Sequence, residues 1–185
     1  MSRPPALPDR RSFLHRFAQF AALGAAGSAT MPVLASRPDA RSLAFDHTHT
    51  RERLTVVYAV GDRYVPDALG TLNRFLRDHY TGDVGVIDPR LFDLLHRVRT
   101  ELGSGAPFQV ISGYRCPQTN ANLKAGGGGV ARRSLHMEGK AIDIRLPGVP
   151  LGDLRDAALA LRAGGVGHYP REQFVHLDTG RVRSW

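Results

Sequence analysis

Two histidines and one carboxylate stand far apart along the 185-residue chain in text that could hold a metal ion. The first stretch reads Ser134-Leu-His136-Met-Glu-Gly139-Lys-Ala141-Ile-Asp143, and the second Phe174-Val-His176-Leu-Asp178. Zinc accepts imidazole nitrogen and carboxylate oxygen. Three such ligands leave a fourth position for water, whose pKa the ion lowers to about 7. His136, Asp143 and His176 would then support metal-assisted hydrolysis. The same residue types also serve singly as structural or surface groups, and spacing alone leaves both readings open.

These side chains need elements that bring them together. Lys140–Leu146 alternates as a strand does, which fixes Asp143 in its middle. Phe174–Asp178 reads as a late strand carrying His176. If the two strands pair, both side chains can face one cleft. His136 lies seven residues before Asp143, enough for a turn at Gly139 to return it.

The remaining elements follow from periodicity. Leu43–Phe45 and Leu54–Tyr58 read as strands about a polar turn at Thr50–Arg53. His47 and His49, at i and i+2, would share a strand face. A metal pair there is conceivable, but no carboxylate partner is recognisable nearby, which favours a solvated hairpin edge. Pro66 to about Asp78 reads as a helix with Leu69, Leu72, Phe75 and Leu76 as its stripe. A second runs from Pro89 to Leu102, capped by Asp88 and stopped by Gly103. Phe108–Ile111 and Val166–Tyr169 read as strands, Pro117 to about Lys124 and Leu151–Arg162 as helices. Gly126–Gly129 reads as a linker and lacks the context of a phosphate loop. The expected class is α+β: a small, mainly antiparallel sheet flanked by helices.

With 42% hydrophobic and 23% charged residues, the composition is that of a globular protein. The net charge is +8, and four arginines against one aspartate in residues 1–35 leave +5 to the rest. A mildly basic domain suits an anionic polymer or surface. No Lys/Arg run with interleaved aromatics points to nucleic acid. Cys116 is the single cysteine, which excludes an intramolecular disulfide and a cysteine-based zinc site.

Residues 9–35 read as an address. Arg10-Arg11-Ser12-Phe13-Leu14 precedes an Ala/Gly-rich stretch that closes on Val33-Leu34-Ala35. The paired arginines resemble a twin-arginine export signal. The run from Phe17 to Ala35 is interrupted by Gln19, Ser28, Thr30 and Pro32, which makes a poor spanning helix. The expected organisation is a cleaved signal over residues 1–35 and one domain over 36–185, with no stable membrane span in the mature form. The partner this implies is the twin-arginine export machinery, and the location the periplasm.

Ser-x-His-x-x-Gly-x-Ala-x-Asp, followed by a late strand histidine, resembles zinc peptidases of the D-Ala-D-Ala carboxypeptidase and VanX type, grouped with hedgehog-like domains. Ser112-Gly113-Tyr114-Arg115 and Thr119-Asn120-Ala121 match as well, and the arrangement is similar to the YcbK-like branch. The resemblance covers residues 40–185. It implies that His136, Asp143 and His176 are zinc ligands and that the substrate is peptidoglycan peptide. It implies that Arg115 binds a substrate carboxylate or polarises the scissile carbonyl, with Tyr114 and Ser134 beside it. Ser134 either orients the loop before His136 or caps a turn.

Many such peptidases place a glutamate three residues before the second histidine, where this chain has Gln173. Asp178 shares the face of His176 and is the first expectation for the base that takes a proton from metal-activated water. Its alternative role is to orient a histidine ligand. His168 is the second candidate base. The expected function is zinc-dependent murein endopeptidase activity. The competing reading is a metal-holding module that binds wall peptide without cutting it, supported by Gln173.

Overall fold

A computed structural model describes residues 37–127 and 131–185. The expected export signal and part of the glycine linker lie outside the described residues. Eight strands form one sheet: β1 (Ala40–His47), β2 (Arg53–Val60), β3 (Arg63–Tyr64), β4 (Phe108–Ser112), β5 (Ala141–Arg145), β6 (Gly165–Tyr169), β7 (Phe174–Asp178) and β8 (Arg183–Ser184). Their order is β3-β2-β1-β4-β5-β7-β6-β8. Five neighbouring pairs are antiparallel, while β1–β4 and β6–β8 are parallel. The sheet is mainly antiparallel, as expected. β3 and β8 are two residues each and leave no periodic trace in the sequence.

Four helices are described: α1 (Pro66–Phe75), α2 (Pro89–Glu101), α3 (Pro117–Ala125) and α4 (Leu151–Ala160). Proline opens α1, α2 and α3, where its missing N–H is not needed. Asp88 caps α2 by accepting the Arg90 N–H at 3.0 Å. The Cys116 sulfur accepts the Thr119 N–H at the start of α3, so the lone cysteine is a buried cap.

α1 packs on β2, α2 on β1 and α4, and α4 on β6 and β7. The apolar core lies between these helices and the sheet. Phe108 and Val110 of β4, Ile142 and Ile144 of β5, Val175 and Leu177 of β7 and Val166 of β6 meet Leu91, Leu95 and Leu154 there. Each such side chain contributes about 1.5–3 kcal/mol on burial. Because strand residues alternate, the intervening positions face away from these helices. Those positions are Asp143, His176 and Gly167. β4 joins them only because its register shifts between Val110 and Ser112, a bulge that re-aims Ser112 opposite Asp143. Ser112, Asp143, His176 and Gly167 therefore form one cross-strand row over β4, β5, β7 and β6.

Candidate metal centre

Asp143 and His176 are direct cross-strand partners on β5 and β7. Such pairs hold side chains about 5 Å apart at Cβ. His136 arrives from a single 3₁₀ turn, Leu135–Glu138. Ser134 caps that turn, its Oγ accepting the His136 N–H at 3.4 Å. Gly139 ends the turn at φ 64°, and a Cβ there would fall 1.9 Å from the Val86 carbonyl oxygen. No other residue fits that return, so the expected turn at Gly139 is present and requires glycine.

The three side chains converge. Asp143 Oδ1 lies 2.8 Å from His176 Nδ1 and 3.3 Å from His136 Nε2, and the two imidazole nitrogens are 3.2 Å apart. All three residues are buried.

Their outward contacts orient both rings. His136 Nδ1 sits 2.7 Å from the Gly113 carbonyl, which can only accept, so Nδ1 carries the proton. His176 Nε2 donates to Asp178 Oδ2 at 3.1 Å. His176 Nδ1 faces a carboxylate as well, Asp143 Oδ1, so an ion bound there would take lone pairs from His136 Nε2, His176 Nδ1 and that oxygen together. Two imidazole nitrogens and a carboxylate oxygen this close need a proton or a metal ion among them.

Zinc bonds of about 2.0–2.2 Å in a tetrahedron place donor atoms about 3.3–3.6 Å apart. The observed triangle is near that size, and two imidazoles with one carboxylate form a suitable donor set. The residues fit a divalent metal, and among the described residues no other group of His, Cys, Asp or Glu brings three ligand atoms this close.

Charge follows the same geometry. Burial drives the Asp143 carboxyl upward, but His136 and His176 outweigh it and hold the group well below the usual carboxylate range. Burial lowers the His176 imidazole, yet its bonds to Asp143 and Asp178 raise it overall.

Asp178 lies behind His176 and not in the cleft. It is fully buried, and its oxygens accept from Gly165 N–H, Gly180 N–H, both Arg183 Nη groups and His176 Nε2. Burial pushes this carboxyl up, while the His176 and Arg183 bonds hold it well below its ordinary range. Every lone pair of Asp178 is thus engaged by a donor, the arrangement expected of its alternative role, a group that orients a histidine ligand.

His168, the second candidate base, lies away from the cleft. It pairs with Val175, while Gly167 pairs with His176, so alternation turns His168 to the helix side. There its Nδ1 lies 3.5 Å from Arg155 of α4. Glu138 pairs with Lys140 at 2.8 Å on the surface, and Glu172 and Gln173 are exposed in the β6–β7 turn.

Above the triad opens a cleft of about 460 Å³. Arg115, Arg133, Ser134, Tyr169, Phe174 and Trp185 help line it. Arg115 is 9% exposed, and its Nη2 stands 3.9 Å from Asp143 Oδ2 and 3.4 Å from Ser112 Oγ. Arg115 also lines an adjoining cavity of about 180 Å³, and Tyr114 faces that second cavity with its ring packed over Gly85. Tyr114 does not line the metal cleft itself, but its cavity shares Arg115, Asp143 and Phe174 with that cleft.

His47 and His49 form no strand pair. His47 ends β1 and is 2% exposed, and His49 sits in the following turn. His47 is buried at the edge of the hairpin, where its ring accepts backbone N–H groups of the turn, while His49 is exposed as expected of a solvated edge. Sequence reasoning missed Gly113, whose carbonyl sets the His136 tautomer, and Tyr169, Arg183 and Trp185. A single tryptophan near a ligand strand was the available signal for the last.

Residues 35–185 match the family described as Peptidoglycan L,D-endopeptidase MepK. The chain is 44% identical over 165 residues to the Peptidoglycan L,D-endopeptidase MepK of Escherichia coli strain K12, covering 87% of this chain and 91% of that protein. It is 42% identical over 153 residues to the Probable peptidoglycan L,D-endopeptidase MepK of Haemophilus influenzae, covering 82% of each.

Proposed function

The chain belongs to the peptidoglycan L,D-endopeptidase MepK family, and from that membership we propose that it is a zinc metallopeptidase hydrolysing peptide bonds in peptidoglycan stem or cross-link peptides. The observation that carries this reading is the convergence of three ligand atoms: His136 Nε2, His176 Nδ1 and Asp143 Oδ1. These residues would hold the ion. When bound, zinc supplies Lewis-acid chemistry, polarising a carbonyl and making water acidic enough to react near neutral pH.

The chain's own groups do the rest. The Gly113 carbonyl and Asp178 hold the two imidazoles in orientation, as outer partners of metal ligands do. Arg115 presents a planar fork of donors at the cleft floor, suited to a substrate carboxylate or carbonyl. Ser134 fixes the turn that carries His136. Arg133 adds positive charge at the cleft wall, which favours the anionic carboxylates of stem peptides.

Incubating residues 36–185 with sacculi, with and without chelator, tests the proposal. New amine ends that appear only without chelator support hydrolysis. A second reading, a metal-holding wall-peptide binder, is favoured by one observation. Among the described residues, Asp143 is the sole carboxylate lining the cleft. Retention on sacculi with no new ends in either condition would establish that reading instead.

Residues 1–35 act in this proposal as a twin-arginine signal that delivers the domain to the periplasm. No helix among the described residues is long and apolar enough to cross a membrane. An Arg10→Lys/Arg11→Lys precursor should stay uncleaved in the cytoplasm. Normal processing of that variant would remove the twin-arginine route.

A further inference from the structure

One wall of the cleft is aromatic and is held by more contacts than packing requires. Tyr169 and Phe174, partners across β6 and β7, stack with ring centres 4.5 Å apart and 18° between planes. The Trp185 ring lies 5.2 Å from His176. Its backbone is tied to β6: Trp185 N–H donates to the Val166 carbonyl at 3.3 Å, and the Trp185 carbonyl accepts the His168 N–H at 3.0 Å. The indole covers Gly167, where a Cβ would meet the ring at 2.7 Å. Glycine at 167 is therefore what lets the indole approach the row that carries His176. Arg183, already bonded twice to Asp178, places its guanidinium 4.7 Å from the indole centre.

An indole held from three sides has one polar group to offer. Trp185 Nε1–H donates to the Tyr169 hydroxyl oxygen at 2.7 Å, and the direction is certain because the indole nitrogen has no acceptor role. The phenol therefore keeps its own proton for another partner. Among the described residues nothing accepts it. Tyr169 is half-buried and lines the cleft together with His136, Asp143 and His176.

Resting on the hydrolase reading above, we propose that Tyr169 is a catalytic residue whose O–H donates a hydrogen bond to the substrate carbonyl oxygen as negative charge gathers there, with Trp185 as the residue that positions the phenol. The phenol keeps its proton throughout. Its contribution is a donor aimed before the reaction begins, of the kind whose removal costs about 10²–10³-fold in turnover. Gly167, Phe174 and Trp185 together supply that aim: the glycine admits the indole, the phenylalanine clamps the phenol ring, and the indole N–H fixes its oxygen.

Tyr169→Phe removes one oxygen and keeps the stack on Phe174. We expect kcat to fall about 10²-fold with KM within about threefold and metal content unchanged. Trp185→Phe should lower kcat about tenfold, and adding it to Tyr169→Phe should cost nothing more, since the indole acts through the phenol.

Trp185 is the single tryptophan of the chain, so its emission reports this cleft directly. A phosphinate analogue of the cross-link peptide, which carries a tetrahedral anionic centre, should bind the wild type at least about tenfold more tightly than Tyr169→Phe by fluorescence titration. The uncleaved peptide, added to chelated protein, should bind both alike. Tyr169→Phe with undiminished kcat and equal phosphinate affinity would overturn the inference while leaving the hydrolase reading intact. A wild type that neither cleaves sacculi nor binds the phosphinate would remove both.

Discussion

Among the described residues imidazoles gather in two places, around buried His136 and His176 and around buried His47, and only the first offers a suitable donor set for a metal. His136 and His176 each spend one ring nitrogen on an outward acceptor, Gly113 C=O and Asp178, and so turn the other inward toward Asp143. His47 does the reverse. His47 Nδ1 accepts N–H groups from His49 and Thr50 at 3.2 and 3.4 Å, so its proton sits on Nε2, which has no partner among the described residues. His49 and His79 stack at 4.1 Å, 5° from parallel. The nearby acids are occupied: Glu52 pairs with Arg77, and Asp78 accepts from Tyr80 N–H and Cys116 N–H. Burial and imidazoles do not make a metal site. A facing carboxylate and an outward hydrogen-bond acceptor for each ring do.

The largest effect that could break this contrast comes from Asp143. Asp143→Ala leaves two lone pairs without their anionic partner. Metal content should drop to background and cleavage of sacculi should fall by more than about 10³-fold. Retained metal would mean the triad is not the centre.

Asp178→Asn comes next and sharpens the role of the carboxylate bonded to His176. If Asp178 orients His176, metal affinity in chelator competition should fall about 10–100-fold, and turnover should recover at saturating zinc. A turnover deficit that persists with the site filled would restore Asp178 as a proton acceptor.

The third prediction concerns the other cluster and pH. Burial, then the neighbouring His79 and His49, pushes the His47 imidazole down to about 4. The unfolded ring titrates near 6.5, so between these values the unfolded state binds more protons. Stability from neutral His47 is full above about pH 6.5 and is lost as pH falls toward 4, by up to about 3 kcal/mol. His79 is lowered in the same direction, chiefly by burial. Denaturant unfolding of His47→Asn, which keeps an acceptor for the turn, should show a flatter slope across pH 6.5 to 4. An identical slope would mean that His47 is not held neutral.

The smallest effect is the counterpart of the first. His49→Ala/His79→Ala should leave metal content and cleavage within about twofold of wild type. A loss of metal there would show that the second cluster binds an ion after all.

Much of the fold and of the triad could be read from residue order. Periodicity located six of the strands and all four described helices, because long amphipathic segments write their burial into the sequence. His136, Asp143 and His176 stood in motif blocks whose order is specific. What could not be read was register. Asp178 and His176 share a strand face, which alternation gave, but whether that aspartate faces water or Arg183 depends on the chain beyond β7. The face of His168 is set by the pairing of Gly167 with His176, a contact between strands that no spacing reveals. The bulge in β4 that turns Ser112 toward Asp143 is likewise invisible from a run of apolar residues. Tyr169 and Trp185 escaped notice because their bond crosses from β6 to the residue after β8, a strand of two residues.

Zinc bound per chain, measured by elemental analysis after dialysis of the purified protein, probes the metal centre most directly. One equivalent should remain on the wild type and essentially none on His136→Ala/Asp143→Ala/His176→Ala, both folded by circular dichroism. Equal zinc on the two proteins, or none on the wild type after loading, would contradict the centre described above.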